Sequence, residues 1–169
     1  MRKSMRNLLW GVSAASVLAA AGLGVFFLRG MGVDPEQILA AVVQAPPPGR
    51  VVIEYPLEGT LFPPDVSAPA VRWKEENVRA DLWLVSIAFA EGRGRVYDWA
   101  PQAEWRPQPR VWDEIKSRSQ EAPAVVTVIG VRAKDRSSRR RRAPAAVLSV
   151  GRVTIRTSSD PVGAPLFYR

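Results

Sequence analysis

The stretch 82-LWLVSIAF-89 decides the fold class. Read in steps of two, Trp83, Val85, Ile87 and Phe89 alternate with Leu82, Leu84, Ser86 and Ala88. A period of two sends these sets to opposite faces of a β-strand. The first set is the bulkier, so the sequence predicts that its face enters the core.

Further strands follow in both directions. Downstream, 124-AVVTVIGV-131 is a near-continuous apolar run and reads as a central strand. The last strand is 147-VLSVGRVTIRT-157, where Val153 and Ile155 alternate with Arg152, Thr154 and Arg156. One face of it is expected to be buried and the other wet. Upstream, 51-VVIEY-55 stops at Pro56, and 70-AVRW-73 is a second short strand. Gly92 and Gly94 turn the chain into Arg95-Val96-Tyr97. Gly59 and Pro63-Pro64 mark another turn, and the chain after Pro101 reads as irregular through Trp105. The one helical piece here is 109-PRVWDEIK-116, which spaces Val111 and Ile115 by i, i+4. Short strands separated by Pro/Gly turns argue for a mostly β, two-sheet sandwich with Trp73 near the core centre.

Composition narrows the chemistry. The chain has 169 residues, 47% of them hydrophobic, enough for one packed domain with accessories. It has no cysteine and no histidine. Disulfides, thiolate metal sites and Cys nucleophiles are thereby excluded, as is every Ser-His-Asp arrangement. The commonest zinc ligand and general base are missing too. A carboxylate pair remains chemically open, but no spacing singles one out. We therefore expect no enzyme: no catalytic residue, no metal ligand and no cofactor.

The formal charge of +8 is local rather than general. Residues 1–31 hold Arg2, Lys3, Arg6 and Arg29 and no acid. Residues 132–142 hold Arg132, Lys134, Arg136 and Arg139 to Arg142 against Asp135. Without these two segments the chain is slightly acidic, which argues against a nucleic-acid-binding face.

Leu8 to Leu28 contains no charged residue. A helix of that length rises about 31 Å, the thickness of a bilayer's hydrocarbon core. Three basic residues precede it and Arg29 follows, an asymmetry that places the N-terminus in the cytoplasm and the remainder outside. Ala19-Ala20-Ala21 also has the small-residue character of a signal-peptide cleavage site. Cleavage there would leave GLGVFFL exposed, so an uncleaved signal anchor is the favoured reading. The expected location is a single pass through the inner membrane, with the soluble domain in the periplasm or outside.

After the anchor, Asp34 is placed to cap a helix, Pro35 suits its first turn, and Gln37 completes a capping-box-like spacing. Ile38, Leu39, Val42 and Val43 share a face, and Pro46-Pro47-Pro48 ends the helix. The predicted organisation is a cytoplasmic tip and anchor over 1–31 and a helical, Pro-rich stalk over 32–49. A β-sandwich over 50–160 and an exit segment over 161–169 complete it. The stalk is expected to lay its apolar face on the membrane or on the domain.

The run 55-YPLEGTLFPPDVSAPAVRW-73, then LWLVSIAF, the IK of VWDEIK, VTVIGV and 157-TSSDPVGAPLFYR-169 resembles a family of exported bacterial proteins. In that family an immunoglobulin- or fibronectin-III-like N-terminal domain precedes a TolB-type β-propeller. The resemblance covers about Val51 to Arg169, and its first and last elements are the specific ones. It implies an immunoglobulin/fibronectin-III-like sandwich whose exit segment leads into a second domain or meets a partner. It brings no catalytic residues.

Three features are candidate functional sites. Arg139, Arg140, Arg141 and Arg142 form a basic loop suited to anionic lipid, polysaccharide or an acidic partner, although such runs also serve as solvated loop tips. Trp99, Trp105 and Trp112 are candidates for stacking on sugar rings, with core packing as the alternative role. Leu166, Phe167 and Tyr168 form a candidate docking tail. The expected function is a non-catalytic, membrane-anchored, envelope-facing module for protein interaction or for presenting a further domain. A carbohydrate- or cell-wall-binding module built on the three tryptophans is the alternative.

Overall fold

Eight strands and two short helices account for the regular structure in residues 34–92, 94–132 and 146–160, the residues that the computed structural model describes. Leu8 to Leu28, Arg139 to Arg142, and Leu166, Phe167 and Tyr168 lie outside the described residues. Among the described residues no helix is long and apolar enough to cross a membrane.

In chain order the elements are α1 (Pro35–Gln44), β1 (Gly49–Tyr55), β2 (Thr60–Phe62), β3 (Val71–Glu76), β4 (Leu82–Phe89) and β5 (Arg95–Ala100). Then come β6 (Glu104–Trp105), α2 (Pro109–Arg118), β7 (Ala124–Arg132) and β8 (Ala146–Thr157). The strands hydrogen-bond in the order β5-β4-β7-β8-β1-β3-β6, and β2 joins β8. All neighbours are antiparallel except β1 and β2, which run parallel to β8.

This path curls until its ends meet. Only residues 101–103 separate β5 from β6. Asp98 on β5 accepts from Trp105 Nε1 on β6 at 2.8 Å, and its other oxygen accepts from the Trp99 backbone N–H at 2.8 Å. Trp73 on β3 and Trp83 on β4 are well separated along the path. Even so, their rings meet edge to face with centroids 6.0 Å apart. Strands from both stretches of the path, β5-β4-β7-β8 and β1-β3-β6, therefore contribute to one core. Trp83, Val85, Ile87 and Phe89, the larger set on β4, lie in that core together with Trp73. Each such aliphatic side chain, once buried, favours the fold by roughly 1.5–3 kcal/mol.

α2 closes one end of the core. Trp112 and Ile115 are its buried residues, while Val111 is half-buried. The reason is specific to Trp112. Its ring meets Phe62 edge to face at 5.4 Å, and its Nε1 donates to the Val66 carbonyl at 2.9 Å.

The opposite face of β4 is buried as well. Leu84 is wholly inaccessible and Leu82 and Ser86 nearly so, as are Ile129 and Val131 beside them on β7. α1 crosses this face. Asp34 caps it by accepting from the Glu36 N–H at 3.0 Å. Its first turn is tied to β5, where Tyr97 donates its hydroxyl hydrogen to Glu36 Oε1 at 2.5 Å. Its other end reaches β8. Ten residues of helix span about 15 Å, close to the roughly 14 Å from β5 to β8. Ile38 is buried, Leu39 and Val42 are half-buried, and Val43 is exposed. The helix expected in the stalk thus packs on the strands and forms one compact unit with them.

Candidate functional site at the parting of β1 and β8

β8 is paired with β7 from Arg132↔Ala146 to Ala124↔Ile155. Its other edge is interrupted. β1 pairs there only at Gly49↔Ser149 and Arg50↔Val150, and β2 takes over at Thr60↔Ile155. Between them no ladder pair forms among the described residues.

The break starts at a glycine. A Cβ on Gly151 would lie 2.2 Å from the Val51 carbonyl oxygen, so β1 crosses here against bare backbone. β1 then commits its other edge to β3, through Val51↔Glu75, Val52↔Lys74 and Ile53↔Trp73, and leaves β8 behind.

Glu58 closes the far end. One of its carboxylate oxygens accepts from the Thr154 backbone N–H at 3.0 Å, and the other accepts from the Thr154 hydroxyl. Gly59, at φ +72°, donates its N–H to the Thr154 carbonyl at 3.0 Å. The Thr154 hydroxyl first, and its N–H second, hold the Glu58 carboxyl below its ordinary value of 4.5.

This geometry orients Arg152. The Thr154 carbonyl faces Gly59, away from β7, and main-chain direction repeats every second residue along a strand. The N–H and C=O of Arg152 therefore also face away from β7, into the gap. An open groove of about 510 Å³ lies over it. Val42, Pro46 and Pro47 from the exit of α1 form one wall, and Val52 and Val150 continue the apolar lining. Arg50, Arg152 and Glu58 supply its charges. Neither arginine has an ion-pair partner among the described residues. Glu54, further along β1, is ion-paired with Lys74. Two unneutralised guanidinium groups beside one engaged carboxylate give the groove a preference for anions.

No protein-family model, curated protein or solved structure matches this chain.

The tryptophans expected to form a stacking surface are not gathered on one. Trp105 is 5% exposed and Trp112 is 3% exposed, and both belong to the core. Their indole N–H groups already donate to Asp98 and to the Val66 carbonyl. Neither ring can receive a sugar without opening the core. Trp99 is half-buried and lies opposite Leu84, on the face that α1 crosses. The two other candidate features, Arg139 to Arg142 and Leu166 to Tyr168, fall outside the described residues.

Sequence reasoning missed Arg50, Glu58, Gly151 and Arg152 as a group. One signal was present: a glycine inside a strand pattern marks a bulge or a close backbone approach. Among the described residues, no three His, Cys, Asp or Glu side chains gather in a way that could hold a metal ion.

Proposed function

We propose that this chain is a non-catalytic, membrane-anchored module of immunoglobulin/fibronectin-III type that works by binding another protein at the outer side of the inner membrane. The strand order supports the fold reading. β1 stands between β8 and β3 in the sheet, parallel to the last strand and antiparallel to the other neighbour, and strands on both sides of it share one core. The uncharged run Leu8 to Leu28, with its excess of basic residues on the N-terminal side, supports the anchor. The observation that carries the interaction reading is the interrupted edge of β8. A main-chain donor and acceptor lie there beside an apolar wall and two unpaired arginines. Interfaces commonly combine an apolar centre with charged groups at the rim.

Site-specific photo-crosslinking in intact cells tests this. A crosslinking residue at position 52, in the groove, is expected to yield a discrete protein adduct, and one at position 110, on the exposed side of α2, none. Absence of any adduct at position 52, or equal adducts at both positions, overturns the reading.

A further inference from the structure

We propose that the β1–β8 groove receives an extended acidic peptide segment, with a carboxylate held between Arg50 and Arg152 and the peptide main chain paired to Arg152. This rests on the protein-interaction reading above and names the chemistry of the partner.

Three observations carry it. The first is the direction of the Arg152 backbone. Its N–H and C=O face a gap in which neither β1 nor β2 is in register with it. An added extended segment supplies the complementary donor and acceptor, as in strand-addition recognition. Crossing β1 limits the segment at one end and Glu58 on Thr154 limits it at the other. From Gly151 to Thr154 the opening measures about 10 Å at 3.3 Å per residue, room for roughly three residues.

The second observation is charge. Arg50 is in register with Val150, and Arg152 is two residues further along the same face. Diagonal neighbours of this kind are roughly 7–8 Å apart at Cα, so two long guanidinium side chains can converge on one carboxylate. The nearest acids do not compete. Glu58 is bound to Thr154 and Glu54 to Lys74.

The third is the wall. Pro46 and Pro47 have no backbone N–H, so this wall offers no competing donor. With Val42 it presents apolar surface to a side chain of the peptide that points away from the arginines. A lipid phosphate would satisfy the guanidinium groups but would leave the main-chain pair on Arg152 unused. The observations therefore favour a peptide.

The test uses the full chain, ¹⁵N-labelled, in non-ionic detergent. The probes are acetyl-Val-Glu-Val-Glu-amide, its Gln-for-Glu counterpart, and dihexanoyl phosphatidylglycerol below its micellar concentration. The acidic peptide is expected to shift the Arg152, Val52 and Ile53 amides saturably, and to bind at least about fivefold more tightly than the Gln peptide. Arg152→Glu is expected to remove this binding and Arg152→Gln to weaken it, with a dispersed spectrum confirming that each variant is folded. Equal binding of both peptides, or no saturable shift at these amides, overturns the proposal. A response to phosphatidylglycerol alone replaces the peptide with a lipid headgroup. If the peptide fails while the position-52 crosslink to a protein persists, only the acidic-peptide chemistry falls and the interaction reading stands.

Discussion

Strand β8 meets β7 along one edge and β1 followed by β2 along the other, and the two edges differ in continuity. With β7 the register runs over nearly the whole strand, with one irregularity at Gly130/Val131. With β1 it holds at two positions before it breaks. The cause lies in what each neighbour must also do. β7 is sandwiched between β4 and β8, and β-branched residues at Val125, Val126, Thr127, Val128 and Ile129 fill both of its faces. β1 stands between β8 and β3. It pairs with β3 as far as Tyr55 and cannot also follow β8. A strand that must pair on both of its edges in different directions creates an opening that β7, in register with both of its neighbours, does not.

The largest effect is expected on the continuous side. Leu84 on β4 is wholly buried, so Leu84→Ala should destabilise the protein by about 3 kcal/mol through lost burial and an unfilled cavity. Denaturant unfolding measures this, and a loss below about 1 kcal/mol would show that the second face of β4 is loosely packed.

Gly151→Ala should come next, at about 2 kcal/mol, because its Cβ meets the Val51 backbone and not a side chain that can swing away. Amide exchange should quicken at Arg50 and Val51 while the β7 amides stay protected. Equal quickening on both edges would show that β8 is held no more firmly by β7 than by β1.

A smaller, pH-dependent effect is expected from Glu58. Its folded value is lowered, so the stability it contributes is present above pH 4.5 and is lost as pH falls through that lowered value. Wild type should therefore melt above Glu58→Gln at neutral pH, and the gap should close on acidification. A constant gap across that range counts against the role given to Thr154.

The smallest effect concerns α1. Burial first, and the hydrogen bond to Glu36 second, push the Tyr97 phenol from 10.0 up to about 12. The sign is opposite to that of Glu58. The stabilisation is complete below pH 10 and is lost as pH rises toward about 12. Ultraviolet titration should resolve one late-ionising tyrosine that disappears in Tyr97→Phe. If all the tyrosines ionise together near 10, α1 does not hold Tyr97 through Glu36.

Much of the β architecture was readable from side-chain period. The alternation in β4, the unbroken apolar run of β7 and the wet-and-dry pattern of Arg152 to Arg156 all place residues where the structure has them. β2 and β6 were not readable. They are three and two residues long and are strands only by virtue of pairing with β8 and β3. The second buried face of β4 was hidden for a similar reason. Leu82, Leu84, Ser86 and Ala88 are the smaller set, and their burial depends on a helix from residues 35–44 that crosses them. The candidate site was the least legible part. Aromatic residue type drew attention to Trp105 and Trp112, whereas their burial depends on Asp98 and on Val66, the latter 46 residues from its partner in sequence. Arg50 and Arg152 are 102 residues apart and line one groove only because β1 and β8 share two rungs.

The joining of β5 to β6 bears on self-association. An outer strand with free backbone donors is a template on which another copy can grow a sheet, the first step toward aggregation. Here Asp98 takes the Trp99 N–H on the outer strand and the Trp105 indole across from it. β6, at the other end of the path, offers only two residues. One aspartate thus holds the two rims of the fold together and blunts the edge at which a second molecule would add.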